Sequence, residues 1–484
     1  MKKRIAMLTL LGVMTVVGLL VMRTLTLVTP EEPAPQPVPQ YSVDAAAVAQ
    51  KLAALVQCRT VSSPGLRDDA QFDALYAKLP ELFPRVHEAA KVERPGNALL
   101  FTLSGKDASL PPLVLMAHHD VVPVEPGTES AWAHAPWSGE VAGGFVWGRG
   151  TMDDKGSLVA QLEALEEALA AGWRPVRTVL LVSGHDEESE GSGAKAIADG
   201  LKAQGIRPYA VLDEGLAVTD GIVAGVGPKV ALLGVAEKGF LTLELTAKST
   251  GGHASMPPKQ TATGVVAAAI TKLEASPFPS RLDTPTGQMI DTLAPYMPFG
   301  ARVVVANRWL LAPALKATLG AKPSGAASIR TTTAATVFQG SVKDNVLPAK
   351  ASAMVNFRIL PGETRETVTE RVRQVIDDER VEVTVPPGHL MSDPSPVSRT
   401  DGPAWAWLRS AVRRTWPDAL VSPGLVVGAT DARAFSGMSE NIYRFVPQVL
   451  TPEDLPRIHG TNERISVDAL AGMVRFYRLL LEET

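Results

Sequence analysis

Acids and imidazoles cluster at five places in the chain: His118-His119-Asp120, Asp153-Asp154-Lys155, His185-Asp186-Glu187-Glu188, Asp213-Glu214 and His459. Residues two apart in an extended backbone face the same side, so Asp120 can orient His118 through its second ring nitrogen and fix the tautomer that ligates a metal, while His119 points away. The stretch GRGTMDDKG (148–156) sets two carboxylates in a glycine-flanked turn ahead of a helix, where the backbone can approach a site closely. Adjacent Glu187 and Glu188 in one cleft conflict unless a cation or a shared proton compensates. With a metal present, one of the two can ligate while the other takes the proton of a water. Each segment alone also has an ordinary use, as an exposed His-x-Asp, an N-cap with a solvated charge cluster, a capping aspartate or a surface histidine. Together, His118, Asp153, Glu188, Asp213 and His459 supply two imidazoles and three carboxylates, which suit Zn²⁺, Mn²⁺ or Co²⁺ without selecting sharply among them. A carboxylate shared by two ions would make them a co-catalytic pair.

Three short apolar runs must position these groups: Leu113–Met116, Thr178–Val182 and Tyr209–Leu212 read as buried strands, each followed at once by polar residues. Ligands of open α/β sheets bind beyond the carboxyl ends of the strands, so three loaded strand ends imply one shared site. Leu158–Ala170 reads as an amphipathic crossover helix. From 240–249, which alternates with period two, a different unit begins. Its expected order is strand, helix (263–275), strands (336–339 and 351–360), helix (365–378) and strand (381–385), the pattern of a small antiparallel sheet with two helices on one face. Residues 277–335, rich in Pro and Ala, interrupt it without a legible fold. The α/β pattern resumes after Pro386, so the second unit is inserted in the first. The expected division is a catalytic unit over 43–235 and 386–484 and an insert over 236–385.

The 484 residues, 45% hydrophobic, suffice for more than one core. A net charge of −4 provides no basic field for a phosphate backbone, so nucleic acid is not expected as a partner. The single cysteine, Cys58, excludes an intramolecular disulfide and a thiolate metal cluster. Lys2-Lys3-Arg4 precedes an uncharged, mostly apolar run of 18 residues, Ile5 to Met22. That length is near the lower limit for crossing a bilayer, and the basic flank favours a cytoplasmic N-terminus. No clear small-x-small cleavage site follows, so an uncleaved anchor within 1–28 is expected, with a removed signal peptide or a buried helix as alternatives. The rest of the chain would then be membrane-anchored or secreted, on the extracytoplasmic side. Five prolines in Thr29–Gln40 suggest an extended spacer over 29–42.

Taken in order, MAHHDVVPV (116–124), WGRGTMDDKG (147–156), GHDEESEG (184–191), LDEG (212–215), GGHAS (251–255), DNVLP (344–348), NFRILPG (356–362) and HGTNERI (459–465) resemble the M20 metallopeptidase family. The nearest branch is that of carboxypeptidase S and the secreted N-acyl-amino-acid hydrolases, and the resemblance covers about residues 45–484. It implies an α/β fold, a mixed-sheet di-metal hydrolase domain carrying an inserted α+β lid or dimerisation domain. It makes His118 and Asp213 ligands of one ion, Glu188 and His459 ligands of the other, and Asp153 the bridge, often with a cis Asp153–Asp154 peptide. Glu187 corresponds to the general base, Asp120 to the residue orienting the metal-bound histidine, His253 to a histidine polarising the scissile carbonyl, and Asn345 and Arg358 to substrate binders. Two divalent ions are implied, Zn first, with Co or Mn as alternatives. The implied activity is hydrolysis of an amide bond next to a free carboxylate, as a carboxypeptidase or dipeptidase, with an N-acyl-amino-acid amidohydrolase as the alternative. The substrate would be a peptide or an N-acyl amino acid and the assembly a monomer or homodimer, since the 277–335 insertion departs from shorter dimeric members. From another class, a membrane-tethered non-catalytic binding protein would be expected to have lost a ligand or the base, and here none is missing.

Overall fold

The computed structural model describes residues 2–29 and 41–482, so most of the expected proline-rich spacer lies outside the described residues. In chain order the main strands are β1 (Lys91–Glu93), β2 (Leu99–Leu103), β3 (Leu113–Met116), β4 (Val179–Ser183), β5 (Ala210–Thr219) and β6 (Val230–Glu237). Next come β7 (Gly239–Lys248), β8 (Thr332–Gln339), β9 (Lys350–Ile359) and β10 (Val381–Thr384), and finally β11 (Leu420–Val426) and β12 (Ile442–Leu450). They form two principal sheets, a mixed one ordered β1-β2-β4-β3-β5-β12-β6-β11 and an antiparallel one ordered β8-β9-β7-β10.

Both β3 (LVLM) and β4 (VLLVS) are buried along their whole length, as unbroken apolar runs require when helices cover both faces. Leu113 and Leu115 join a core with helices Ala45–Val56, Lys155–Ala170 and Val467–Glu482, while Val114 and Met116 pack with helix Ser192–Ala203 and the turn Asp431–Phe435. The neighbours β4, β3 and β5 run parallel, so their carboxyl ends open on one edge. That edge is where the three motif-bearing segments meet. On the smaller sheet, Leu241, Leu243, Leu245, Val355 and Phe357 bury one face under helices Ala262–Ala275 and Arg365–Ile376.

Two stretches of chain join the sheets, and they lie side by side. Lys238 separates β6 from β7, and the return path passes through Ser392. Phe240 N–H donates to Ser392 O at 2.9 Å, and Ser392 N–H donates to Phe240 O at 2.8 Å. A Cβ at Gly239 would come within 2.6 Å of Ser392 O and Pro394 N, so this approach requires glycine. Lys238 is buried, and its ammonium donates to Ala327 O at 2.9 Å and Arg330 O at 2.8 Å.

The stretch without a legible fold is helical: Pro285–Leu293, Phe299–Ala306, Arg308–Gly320 and Pro323–Ile329. The first packs Leu293 against Val226 and Val230 at the edge of the mixed sheet. The N-terminal apolar run is one helix, Lys2–Leu25, with Thr24 its only buried residue.

Candidate metal centre and cleft

Two groups of donor atoms lie close enough to share an ion, His118, Asp153 and Glu214 in one, and Asp153, Glu188 and His459 in the other. His118 Nε2 is 2.9 Å from Asp153 Oδ1 and 3.9 Å from Glu214 Oε1. His459 Nε2 is 3.0 Å from both Asp153 Oδ2 and Glu188 Oε1. Asp153 therefore turns one oxygen to each group. Donors about 3 Å apart suit an ion bonded at roughly 2.0–2.2 Å to nitrogen and carboxylate oxygen. Glu188 Oε1 is buried with no hydrogen-bond partner although His459 lies beside it, as expected of atoms meant to share a cation. The residues present thus fit two divalent ions.

The backbone explains how these groups converge. At the end of β3, His118 Nδ1 faces Asp120, at 3.3 Å from Oδ1 and 3.1 Å from its carbonyl. Asp120 Oδ1 and Oδ2 accept from the backbone N–H of Glu187 and Glu188, both at 3.1 Å, so one buried carboxylate orients the histidine and pins the acidic pair. His119 is turned away, between Ser183 Oγ (2.8 Å) and Tyr76 OH (3.1 Å), and burial lowers its pKa to about 3, leaving it neutral. The Asp153–Asp154 peptide is cis. Buried Glu463 holds that turn, accepting from Met152 N–H (2.9 Å) and from Arg149 Nη1 (2.5 Å). Arg149 Nη2 also donates to His459 O at 3.0 Å, so one ion pair ties the Asp153 turn to the loop bearing His459.

The structure departs from the expected set at β5. Asp213 falls in neither donor group; its oxygens accept from Glu214 N–H (2.9 Å) and Ala432 N–H (2.6 Å). The pairing with β12 jumps from Asp213↔Arg444 to Leu216↔Phe445, leaving Glu214 and Gly215 in a bulge, with Gly215 at φ +140. A bulge re-aims a side chain, and it is Glu214 that faces His118. The signal in the sequence was the glycine directly after the acidic pair, which marks a strand irregularity.

The acids and imidazoles of the centre shift one another's protonation. Burial works against the His118 imidazolium, yet hydrogen bonds with Asp120 and Asp153 hold its pKa well above the ordinary value. Contacts with Asp153 and Glu188 raise His459 to about 10. Burial, then the charges of Asp431, Glu188 and Asp120, push Glu187 well above the usual carboxylate range against the opposing pull of His118. Metal binding at these imidazoles must displace any proton they carry.

Beside the acidic pair opens a cleft of about 810 Å³ shared by the two sheets. Glu187, Glu188, Phe240, Arg358, Leu390, Met391, Ala429 and Arg433 are among the residues that line it. The Arg358 guanidinium sits 4.6 Å over the Phe240 ring. Burial, then the charge of Arg433, lowers its pKa. Arg433 and Asp431 escaped the sequence reading, being a single polar pair after a glycine-bounded strand. Both Asp431 oxygens are buried without partners. The structure does not bring His253 and Asn345 into the cleft wall. They meet on an exposed two-stranded ribbon, where Ala254 N–H donates to Asn345 O at 3.0 Å and His253 Nδ1 lies 2.7 Å from Ser255 Oγ.

The family description "Peptidase family M20/M25/M40" matches residues 114–483. The chain is 41% identical over 413 residues to the N-fatty-acyl-amino acid synthase/hydrolase PM20D1 of Xenopus tropicalis, covering 84% of this chain and 79% of that protein. It is 36% identical over 445 residues to the probable carboxypeptidase S-like 2 of Dictyostelium discoideum, covering 90% and 85%. Its fold is similar to that of the M20 family metallo-carboxypeptidase Sso-CP2 from Sulfolobus solfataricus, at 18% identity and a TM-score of 0.65 over 91% of this chain and 99% of that one. Human carnosine dipeptidase 1 shares the fold at 15% identity and a TM-score of 0.60, over 90% and 96%. With its acid and imidazole centre set on this mixed sheet, the chain belongs to peptidase family M20/M25/M40 and is a metal-dependent hydrolase.

Proposed function

We propose that the protein hydrolyses the amide bond of N-acyl amino acids whose acyl group is a long apolar chain. The observation that carries this is the composition of the cleft, where Arg358 and Arg433 can grip a carboxylate in reach of Glu187, while Phe240, Leu390 and Met391 offer an apolar path. The name of the Xenopus relative points the same way. Hydrolysis of peptides with a free C-terminus is the second reading, favoured by the carboxypeptidase S-like relative and by the same arginines.

In this reading His118, Asp153 and Glu214 hold one ion and Asp153, Glu188 and His459 the other, with Glu214 replacing the expected Asp213. Zn²⁺ is the first expectation for the metal. Bound there, the ions would supply polarisation of the scissile carbonyl and acidification of a water. Glu187, beside the donor groups but in neither, would take a proton from the attacking water and deliver it to the leaving amine. Asp120 keeps His118 in the ligating tautomer. Arg358 and Arg433 fix the substrate carboxylate, and the apolar wall excludes water from the acyl chain. His253 and Asn345 contribute if their ribbon comes over the cleft, the smaller sheet then serving as a lid. The N-terminal helix is retained as an anchor with the catalytic unit outside the cytoplasm, a reading supported by the buried seat of Thr24.

The test compares kcat/KM for N-acyl amino acids of increasing chain length with that for dipeptides, using metal-loaded protein. A rise of about tenfold or more from acetyl to a long acyl chain is expected; faster turnover of dipeptides overturns the preference in favour of the second reading. R358A should raise KM more than it lowers kcat.

A further inference from the structure

The C-terminal end of the N-terminal helix is seated in the 277–335 insertion. A helix leaves its last four carbonyls without partners, and here the insertion supplies donors. Arg302 Nη2 donates to Thr24 O at 3.3 Å and Leu27 O at 2.8 Å. Fully buried Asn307 donates to Leu20 O at 3.1 Å, and in return Arg23 Nε donates to Ala306 O at 3.3 Å. Leu27 packs against Ile290, Ala294 and Val305.

These contacts set a register. Residue 302 lies level with 24–27, 306 with 23 and 307 with 20, so helix Phe299–Ala306 runs back along the N-terminal helix toward its apolar run. The next helix, Arg308–Gly320, therefore begins level with Leu20, inside the uncharged stretch Ile5–Met22. Its exposed positions are Trp309, Leu310, Pro313, Ala314, Ala317 and Thr318, two rows at i, i+4 spacing that carry no charge. Trp309 and Leu310 are 59% and 46% exposed. Its charged residues, Arg308 and Lys316, are half-buried on the other flank, Arg308 paired with Asp291 at 2.7 Å. A helix on a water-soluble surface shows the reverse arrangement.

We infer that helix Arg308–Gly320 lies in the surface of the lipid bilayer beside the N-terminal helix, with Trp309 and Leu310 among the headgroups and upper acyl chains. This rests on the N-terminal helix crossing the membrane, since that crossing places the bilayer at the level of Leu20. Aromatic side chains favour the membrane–water boundary, and in-plane amphipathic helices bury their apolar face about 5–10 Å deep. Where the substrate is a fatty-acyl amphiphile, such a seat would hold the cleft near the phase into which the substrate partitions.

The test uses the full chain with buried Cys58 replaced by Ala and one new cysteine carrying an environment-sensitive fluorophore, reconstituted into phosphatidylcholine vesicles. Labels go at A314C, at V13C in the N-terminal helix and at K106C, an exposed position on the larger unit. Positions 13 and 314 should be quenched several-fold more by acyl-chain nitroxide lipid than position 106, and several-fold less by aqueous iodide. If 314 behaves like 106 while 13 is quenched by lipid, the anchor stands and the inference falls. If 314 is shielded from iodide yet not quenched by lipid, a second copy of the chain covers this face and the inference falls. If 13 is also unquenched, the membrane reading falls and takes the inference with it.

Discussion

Asp153 presents one oxygen to each of two imidazoles, and every other donor belongs to one side only. The residues around it can thus be ranked by what their loss removes. Glu187 lies in neither donor group, so E187Q should lower kcat by about 10²–10⁴-fold while two ions stay bound, a comparison of turnover with metal content by mass spectrometry. Glu214 and Asp213 differ more sharply. E214Q should drop the bound metal toward one ion per chain. D213N, which keeps one acceptor for the two backbone N–H groups, should retain two, and the reverse result would restore Asp213 as the ligand. His118, Asp153, Glu188 and His459, which the structure brings into two candidate donor groups, each sit in a motif whose ordinary uses are few once all are taken together. The sequence pointed to Asp213, where the structure sets Glu214 in the donor group, because the choice depends on the register of β5 against β12, more than 200 residues away. Arg433 was invisible for a related reason, as only folding carries it next to Arg358.

At the level of elements, the β5 bulge is fixed by Gly215. A Cβ there would lie 2.9 Å from Arg444 Cβ, at a φ of +140 that other residues avoid. G215A should cost about 1–3 kcal/mol in denaturant unfolding and reduce metal content, since the strain and the misdirected Glu214 share one cause. Lys238 occupies the junction of β6 and β7, where burial, then Arg358, lowers its pKa to about 7. An ordinary lysine in the unfolded chain keeps its proton to about 10.4. Between those values the unfolded chain binds more protons, so stability rises with pH. Relative to K238M, the natural chain should gain up to about 1.4 kcal/mol per pH unit from pH 7 to 10, read as a shift in unfolding midpoint; a constant difference would mean Lys238 stays charged. The strands and helices of the smaller sheet, and β3, β4 and β5 of the larger, were legible from apolar periodicity, whereas β1, β2, β6 and β11 were not. The helices of 277–335 were not, because they are short and punctuated by Pro285, Pro298, Pro313 and Pro323 and, in Arg308–Gly320, carry their uncharged face outward.

On the scale of the whole molecule, the centre gathers Asp153, Glu187, Glu188, Glu214 and Asp431 at the carboxyl edge of one sheet with few positive charges to balance them. Removing the ions with a chelator should lower the unfolding temperature by several degrees, and returning Zn²⁺ should restore it, because a ligand held about 1,000-fold above its Kd contributes about 4 kcal/mol. An unchanged temperature would mean that the acids are compensated without metal. The paired crossings at Phe240 and Ser392 bear on how the smaller sheet can move. Two separate tethers would let it slide, twist and tilt over the cleft. Laced by reciprocal hydrogen bonds at 2.9 and 2.8 Å, and with Leu293 of the insertion packed against Val226 and Val230 as a further tie, the joint should resist sliding more than bending and so keep the approach of Arg358 to the acidic pair along one path.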